Sequence, residues 1–177
     1  TATTEIYTLS LHGRSSDLIS YCHHDKAALE RLHVHPKNLT TAGHIETWYD
    51  RDILAGSDLN AEIERELEAA DLFLLLVSPD FIASDYCIER EMARALERHA
   101  TGKARVVPII VEECDWKAMG ELRQLKAVPT DGKAISEWAN ANTAYLNVVQ
   151  ELRRIIDAEG QPAVAAKAAP EPAAMRP

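Results

Sequence analysis

Three acidic side chains follow a run of six apolar residues and are the first candidates for chemistry in this chain. The run spans residues 72–77, and the acids are Asp85, Glu89 and Glu91. Open α/β sheets bind their ligands at the carboxyl ends of the strands, so a reaction would be sought among the polar groups that follow such a run. Carboxylates in that position can belong to a reactive site. They can equally be solvated acids that the helix dipole favours near a helix start.

The apolar run predicts a strand that is buried on both faces of a parallel sheet. It shows no alternation of polar and apolar residues, and it is too short to cross a membrane. Ser84 can cap the helix that follows. That helix has an apolar stripe at helical spacing, formed by Ile88, Met92, Ala95 and Leu96. At about 100° per residue, Glu89 and Glu91 fall on opposite flanks of the stripe, so spacing alone does not choose between them.

Strands that alternate with helices predict the architecture of the remaining chain. Further strands are predicted at residues 18–21, 45–49, 105–111 and 134–138, and helices at 25–32, 59–70 and 143–157. Together they predict a flavodoxin-like, doubly wound α/β domain with a parallel five-stranded sheet in the order 2-1-3-4-5. We expect this domain to cover residues 17–158. An uncertain N-terminal segment, 1–16, would precede it, and an Ala- and Pro-rich tail or linker, 159–177, would follow.

Composition excludes some classes of partner. The net charge of −9 argues against nucleic acid or an anionic membrane, because both require a basic surface. No apolar run approaches the roughly 20 residues of a membrane-spanning helix. The three widely spaced cysteines form no disulfide framework, which fits a reducing, cytoplasmic environment.

Common cofactor motifs are missing from the sequence. There is no GxGxxG, no complete P-loop and no GxSxG, which disfavours a Rossmann dinucleotide site, an NTPase and an α/β-hydrolase. No carboxylate or cysteine near the histidine pairs at 23–24 and at 33 and 35 completes a set of metal ligands. We therefore expect no metal site.

Several segments, in order along the chain, resemble a Toll/interleukin-receptor (TIR) domain of the bacterial kind. They are residues 18–21 with His23 and Asp25 (first box), 48–56 (BB loop), 74–92 (strand C and the segment after it), 106–111 with 114–116, and 131–133 with Trp138. Within residues 74–92, the aromatic–cysteine pair of the family precedes a glutamate. The resemblance covers roughly residues 17–158.

The chain departs from the family pattern at three positions. Ala55 stands where proline is frequent, and Tyr86 stands where tryptophan is common. Glu91 lies one residue beyond the usual aromatic-Cys-x-x-Glu spacing, which would place Arg90 at the glutamate position. Since Glu91 precedes Met92, as in the glutamate–aliphatic pair of the family, we select Glu91 as the catalytic candidate and keep Glu89 as the alternative.

The resemblance implies an NAD⁺ glycohydrolase that releases nicotinamide and leaves ADP-ribose or a cyclised product, in bacterial antiphage defence or signalling. NAD⁺ would be a substrate, and no other cofactor is implied. Glu91 would be catalytic, and the implied substrate-binding residues are Ser20, Tyr21, His23, Trp48, Asp50, Arg51 and Tyr86. The family also implies a homo-oligomer formed by TIR–TIR contacts, with a possible downstream effector. The alternative reading is a non-enzymatic TIR–TIR interaction module.

Overall fold

The computed structural model describes residues 6–11, 15–35, 46–49 and 59–160 of the 177-residue chain. The strands in this part are β1 (Ile6–Leu11), β2 (Ser15–Ser20), β3 (Glu46–Tyr49), β4 (Ala70–Val77) and β5 (Arg105–Ile110). The α-helices are α1 (Lys26–Val34), α2 (Leu59–Ala69), α3 (Pro79–Ala83), α4 (Ala93–Ala100) and α5 (Ala141–Gly160). A π-helix, Cys87–Met92, leads directly into α4. No helix of the described ranges has the length and apolar content needed to cross a bilayer.

The described strands form one sheet in the order β3-β1-β2-β4-β5. The strands β2, β4 and β5 are parallel, as predicted, and the predicted strand at 45–49 is present as β3. The prediction of an entirely parallel sheet is wrong, because β1 lies between β3 and β2 and runs antiparallel to both. Only three residues join β1 to β2, and so short a connection can link only antiparallel neighbours.

The prediction of a fifth strand at residues 134–138 is also wrong. Residues Ile135–Glu137 form a 3₁₀ turn, in which the Glu137 side chain accepts a hydrogen bond from the Ala134 N–H at 2.9 Å. Beside β5, Val128 instead makes a single parallel bridge to Ile109. Pro129 follows it and has no N–H to continue a ladder, so the pairing stops after one residue.

The core consists of two apolar clusters, one on each face of the sheet. In one cluster, Leu72, Leu74 and Leu76 of β4 pack against α1 and α5. In the other cluster, Phe73, Leu75 and Val77 of β4 pack against α2, the π-helix and α4. Both faces of β4 are therefore covered, which explains its uninterrupted apolar sequence and confirms the prediction of a doubly buried central strand.

Gly132 provides a test of the packing beside β5. Its φ of +69° is left-handed, and an added Cβ would lie 2.5 Å from Cζ2 of the buried Trp116. We expect Gly132→Ala to lower the free energy of unfolding by about 2 kcal/mol, through backbone strain and overpacking. Gly120→Ala is the matched control, because no atom lies within 4 Å of its added Cβ. Equal urea midpoints for the two variants would contradict this account.

Candidate functional site

Two serine–carboxylate hydrogen bonds cross between the C-terminal ends of β2 and β4. Ser20, the last residue of β2, donates its hydroxyl hydrogen to Oε2 of Glu91, in the helix after β4. Ser78, immediately after β4, donates to Oδ2 of Asp25 at 2.5 Å, in the turn after β2. The helices that follow these two strands pack on opposite faces of the sheet. The two bonds therefore lie at the topological switch point, where α/β folds usually bind ligands.

The π-helix brings Glu91 to this position. Ser84 caps the start of the helix, as predicted, by accepting a hydrogen bond from the Cys87 N–H at 3.3 Å. A π-helix contains more residues per turn than an α-helix, and single π-turns often occur at functional sites. Glu91 lies one residue further from Tyr86 than the aromatic-Cys-x-x-Glu spacing of the resemblance would place it. The wider turn of the π-helix accommodates this extra residue. The apolar spacing had predicted a regular helix here.

Ion pairs tie the π-helix and α4 to α2. The arginines are Arg90, Arg94 and Arg98, which are spaced four residues apart. The first two pair with Glu64 and Glu68 on α2, and the third also donates to the backbone carbonyl of Ala70, just after α2. Arg90 contacts Glu64 at 3.2 Å, and the largely buried Arg98 donates to the Ala70 carbonyl at 3.0 Å. Exposed ion pairs are worth about 0–1 kcal/mol each. The helix is therefore held mainly by its buried apolar face and only oriented by these pairs.

Glu91 and Glu89 occupy different environments. Glu91 is 0% exposed, and its Oε1 has no hydrogen-bond partner among the described residues. Burial raises the pKa of Glu91 from its ordinary value of 4.5 to about 8, although the Ser20 hydrogen bond acts in the opposite direction. Glu89 is exposed and lines a surface groove beside α2. Of the two carboxylates, only Glu91 faces the strand end.

Asp25 is a second buried carboxylate at this edge. Burial raises its pKa from 3.8 to about 6, while the hydrogen bond from Ser78 lowers it. The same Ser78 oxygen accepts the Phe81 N–H at 3.0 Å and so caps α3. Sequence reasoning assigned Asp25 and Ser78 no role in the site. The available signals were a serine at a strand end and an aspartate in the first family box.

Tyr86 lies at the start of the same helix and is half-buried. Its hydroxyl oxygen is buried, and a side-chain hydrogen bond with Arg90 is among the causes that lower its pKa. Burial, and then the charge of Glu91, raise the pKa of Tyr86. The guanidinium carbon of Arg90 lies 5.6 Å from the centre of the tyrosine ring.

The other predicted site residues are only partly brought together. Tyr21 is 0% exposed and belongs to the cluster with α1 and α5, on the opposite face of the sheet from Glu91. His23 is exposed at the start of a 3₁₀ turn. Trp48 lies on β3, but its side chain, and all of Asp50 and Arg51, lie outside the described residues. Over the described ranges, no three His, Cys, Asp or Glu side chains are grouped to hold a metal ion.

The chain is similar to known proteins over most of its length. Residues 18–146 match the family model described as the TIR domain. A relative from Sinorhizobium fredii, described as uncharacterized protein y4lF, is 43% identical over 163 residues. The aligned region covers 90% of this chain and 50% of that relative, so the chain corresponds to about half of the longer protein.

The burial of Glu91 predicts an unusual dependence of stability on pH. Its folded-state pKa of about 8 lies above the ordinary 4.5, so the folded protein binds the extra proton. The resulting stability is complete below pH 4.5 and is lost as pH rises through 8. We expect Glu91→Gln, which stays neutral, to gain more than about 1 kcal/mol over the wild type between pH 5 and pH 9.

Chemical denaturation at the two pH values measures this difference. Glu89→Gln is the matched control, because its carboxylate is exposed, and its difference from the wild type should be the same at both pH values. A Glu91→Gln variant that shows no relative gain at pH 9 would mean that Glu91 is ionised in the folded protein at neutral pH.

Proposed function

This chain belongs to the TIR domain family, and on that premise we propose that it is an NAD⁺ glycohydrolase. It would cleave the bond between nicotinamide and ribose and leave ADP-ribose or a cyclised form of it. The observation that supports this most is the environment of Glu91. One carboxyl oxygen is held by Ser20 at the switch point, and the other has no partner among the described residues.

The reaction requires little catalytic machinery. Nicotinamide leaves as a neutral molecule from a cationic pyridinium, so no general acid is needed. As the bond to nicotinamide breaks, the ribose passes through an oxocarbenium-like transition state, as in glycoside hydrolysis. Water then adds to C1′ of the ribose and loses a proton to give ADP-ribose, or a nitrogen of the adenine of the same molecule adds to C1′ to give the cyclised product. A single carboxylate beside the ribose can bind its hydroxyl groups and stabilise the developing positive charge. In this mechanism Glu91 has that role, and Ser20 orients Glu91 rather than binding the substrate.

The substrate itself favours the reactive form of Glu91. The carboxyl is largely neutral at pH 7, because burial raises its pKa to about 8. The positive pyridinium ring of NAD⁺, brought close to Glu91, lowers that pKa and favours the carboxylate. Substrate binding and activation of Glu91 are therefore coupled by charge.

Access to Glu91 requires a conformational change, because its side chain is 0% exposed. The family resemblance implies that a neighbouring protomer completes the active site. We therefore propose that self-association through TIR–TIR contacts opens or completes the site and activates the enzyme. Its product would act in the cytoplasm, in antiphage defence or signalling, through a downstream effector.

The same burial favours a second candidate function. A carboxyl that is closed to solvent and hydrogen-bonded to Ser20 can be purely structural. The chain would then be a non-enzymatic TIR–TIR interaction module, and removing the ionisable group would change stability without changing any activity.

Nicotinamide release from NAD⁺ distinguishes the two functions. We would measure it at pH 8.5, where Glu91 is largely ionised, over a wide range of protein concentrations. The enzyme is expected to release nicotinamide at a rate that rises faster than linearly with protein concentration. Glu91→Gln should lower this rate at least 100-fold, because the charge that stabilises the transition state is removed.

Glu89→Gln is the matched control, as it makes the same chemical change two residues away on the exposed side. It should retain activity within about twofold of the wild type, since its carboxylate is solvated. Loss only in Glu89→Gln would transfer the catalytic role to Glu89. An absence of release at every concentration, with self-association intact, would favour the interaction module.

A further inference from the structure

Two neighbouring cavities lie at the N-terminal end of β5, at the opposite edge of the sheet from Glu91. Both are lined by His99 and Arg105, so they adjoin each other. One, of about 410 Å³, lies between β5 and the C-terminal half of α5 and is called the β5–α5 groove below. The other, of about 470 Å³, lies beside the start of β4. Both volumes are typical of sites for small molecules.

Positive charge is concentrated around these cavities, although the chain as a whole carries a net charge of −9. Among the described residues, the charged side chains that line the groove are Arg105, Lys126, Arg154 and Glu151. The adjoining cavity adds one further cation and one further carboxylate, Lys103 and Asp71. Cations therefore outnumber carboxylates at this edge, which favours an anionic ligand.

Glu151 holds two of the cations at the groove without using all of their donors. Lys126 Nζ lies 3.1 Å from Glu151 Oε2, and Arg154 Nη1 lies 2.8 Å from Glu151 Oε1. An ammonium group has three N–H donors and a guanidinium five, so each cation keeps donors for another partner. The side chains of Lys126 and Arg154 are 75% and 76% exposed, so an anion can reach them without a change in the fold.

The wall between these charges is apolar. It includes Val106 on β5, Val128 beside that strand and Ile155 on α5. A bare anion gains nothing from such a wall, whereas a flat, weakly polar ring does. His99 adds a polar atom, because its Nδ1 is buried and has no hydrogen-bond partner in the part of the chain that the structure describes. A ligand with a charged end and a ring therefore fits the groove better than a simple ion.

We propose that the β5–α5 groove binds a nucleoside diphosphate, with its phosphates on Lys126 and Arg154 and its base against the apolar wall. Arginine and lysine are the side chains that most often bind phosphate oxygens. This site is separate from Glu91 and does not depend on the proposed function. ADP is also a part of both NAD⁺ and ADP-ribose. A regulatory role for the groove in NAD⁺ cleavage would follow from that likeness, and only this extension rests on the proposed function.

Calorimetric titration with ADP tests the site. We expect Arg154→Gln and Lys126→Gln each to raise the dissociation constant for ADP at least about tenfold, because each removes a charge-assisted hydrogen bond to phosphate. Both side chains are exposed, so the urea midpoints of the two variants should stay close to that of the wild type. No binding of ADP by the wild type, or binding that neither variant weakens, would overturn the inference.

Arg153→Gln is the matched control. It removes the same charge from the preceding residue of α5, which is exposed and does not line the groove. Its dissociation constant for ADP should stay within about twofold of the wild type. Equal weakening in Arg153→Gln and Arg154→Gln would indicate a general attraction of ADP to the charge of α5, and the inference would then fail.

Two smaller probes test the class of ligand. Inorganic pyrophosphate and uncharged adenosine should each bind at least about tenfold more weakly than ADP, because each lacks one of the two contacts. Pyrophosphate that binds as tightly as ADP would contradict a nucleotide site.

Amide NMR spectra locate the bound nucleotide. Addition of ADP should shift the signals of Val106 and Ile155, which line the groove. Shifts confined to Ser20 and Glu91 would place ADP at the other edge of the sheet and overturn the inference. None of these measurements uses NAD⁺ cleavage, so their failure would leave the proposed function standing, and a lack of nicotinamide release would leave this inference standing.

Discussion

The hydrogen bond from Ser20 to Glu91 joins the end of a central strand to a helix that comes from the neighbouring strand. It forms because β2 and β4 are adjacent and parallel and so end at the same edge of the sheet. It also requires the π-helix, since a regular helix would direct a different residue to Ser20. Burial then keeps the carboxyl neutral until pH approaches 8. The position, charge state and accessibility of the candidate site all follow from this one contact.

The parts of the fold that were predictable from sequence are those with a strong apolar pattern. Residues 72–77 predicted the central strand because β4 is buried on both faces, and family membership implies the same flavodoxin-like α/β architecture. Residues 6–11 were considered as a ragged strand, but the place of β1 between β3 and β2 and its antiparallel direction were missed. A short, mixed sequence next to a loop-like segment carries no signal of direction. Residues 134–138 were misassigned because a few apolar residues are equally compatible with a strand or a 3₁₀ turn. Here the hydrogen bond that the Glu137 side chain accepts from the Ala134 N–H favours the 3₁₀ turn.

The candidate site was predictable only in outline. The position after a buried strand directed attention to the helix that carries Glu91, and the resemblance selected Glu91 within it. A helical wheel could not separate Glu91 from Glu89, because it assumes about 100° per residue and the π-helix departs from that angle. The Asp25–Ser78 contact joins residues 53 positions apart, and no local pattern encodes such a pair. The burial of the Tyr86 hydroxyl is likewise a property of packing rather than of spacing.

The most direct test of the account is the pKa of the Glu91 carboxyl in the folded protein. Carbon-13 NMR of protein labelled at glutamate side-chain carboxyls would be followed from pH 3 to pH 10, and the Glu91 signal would be assigned by its loss in Glu91→Gln. The account predicts that the Glu91 carboxyl titrates near pH 8. A Glu91 signal that titrates at the ordinary value near 4.5 would contradict it, since the carboxyl would then be solvated rather than buried against Ser20.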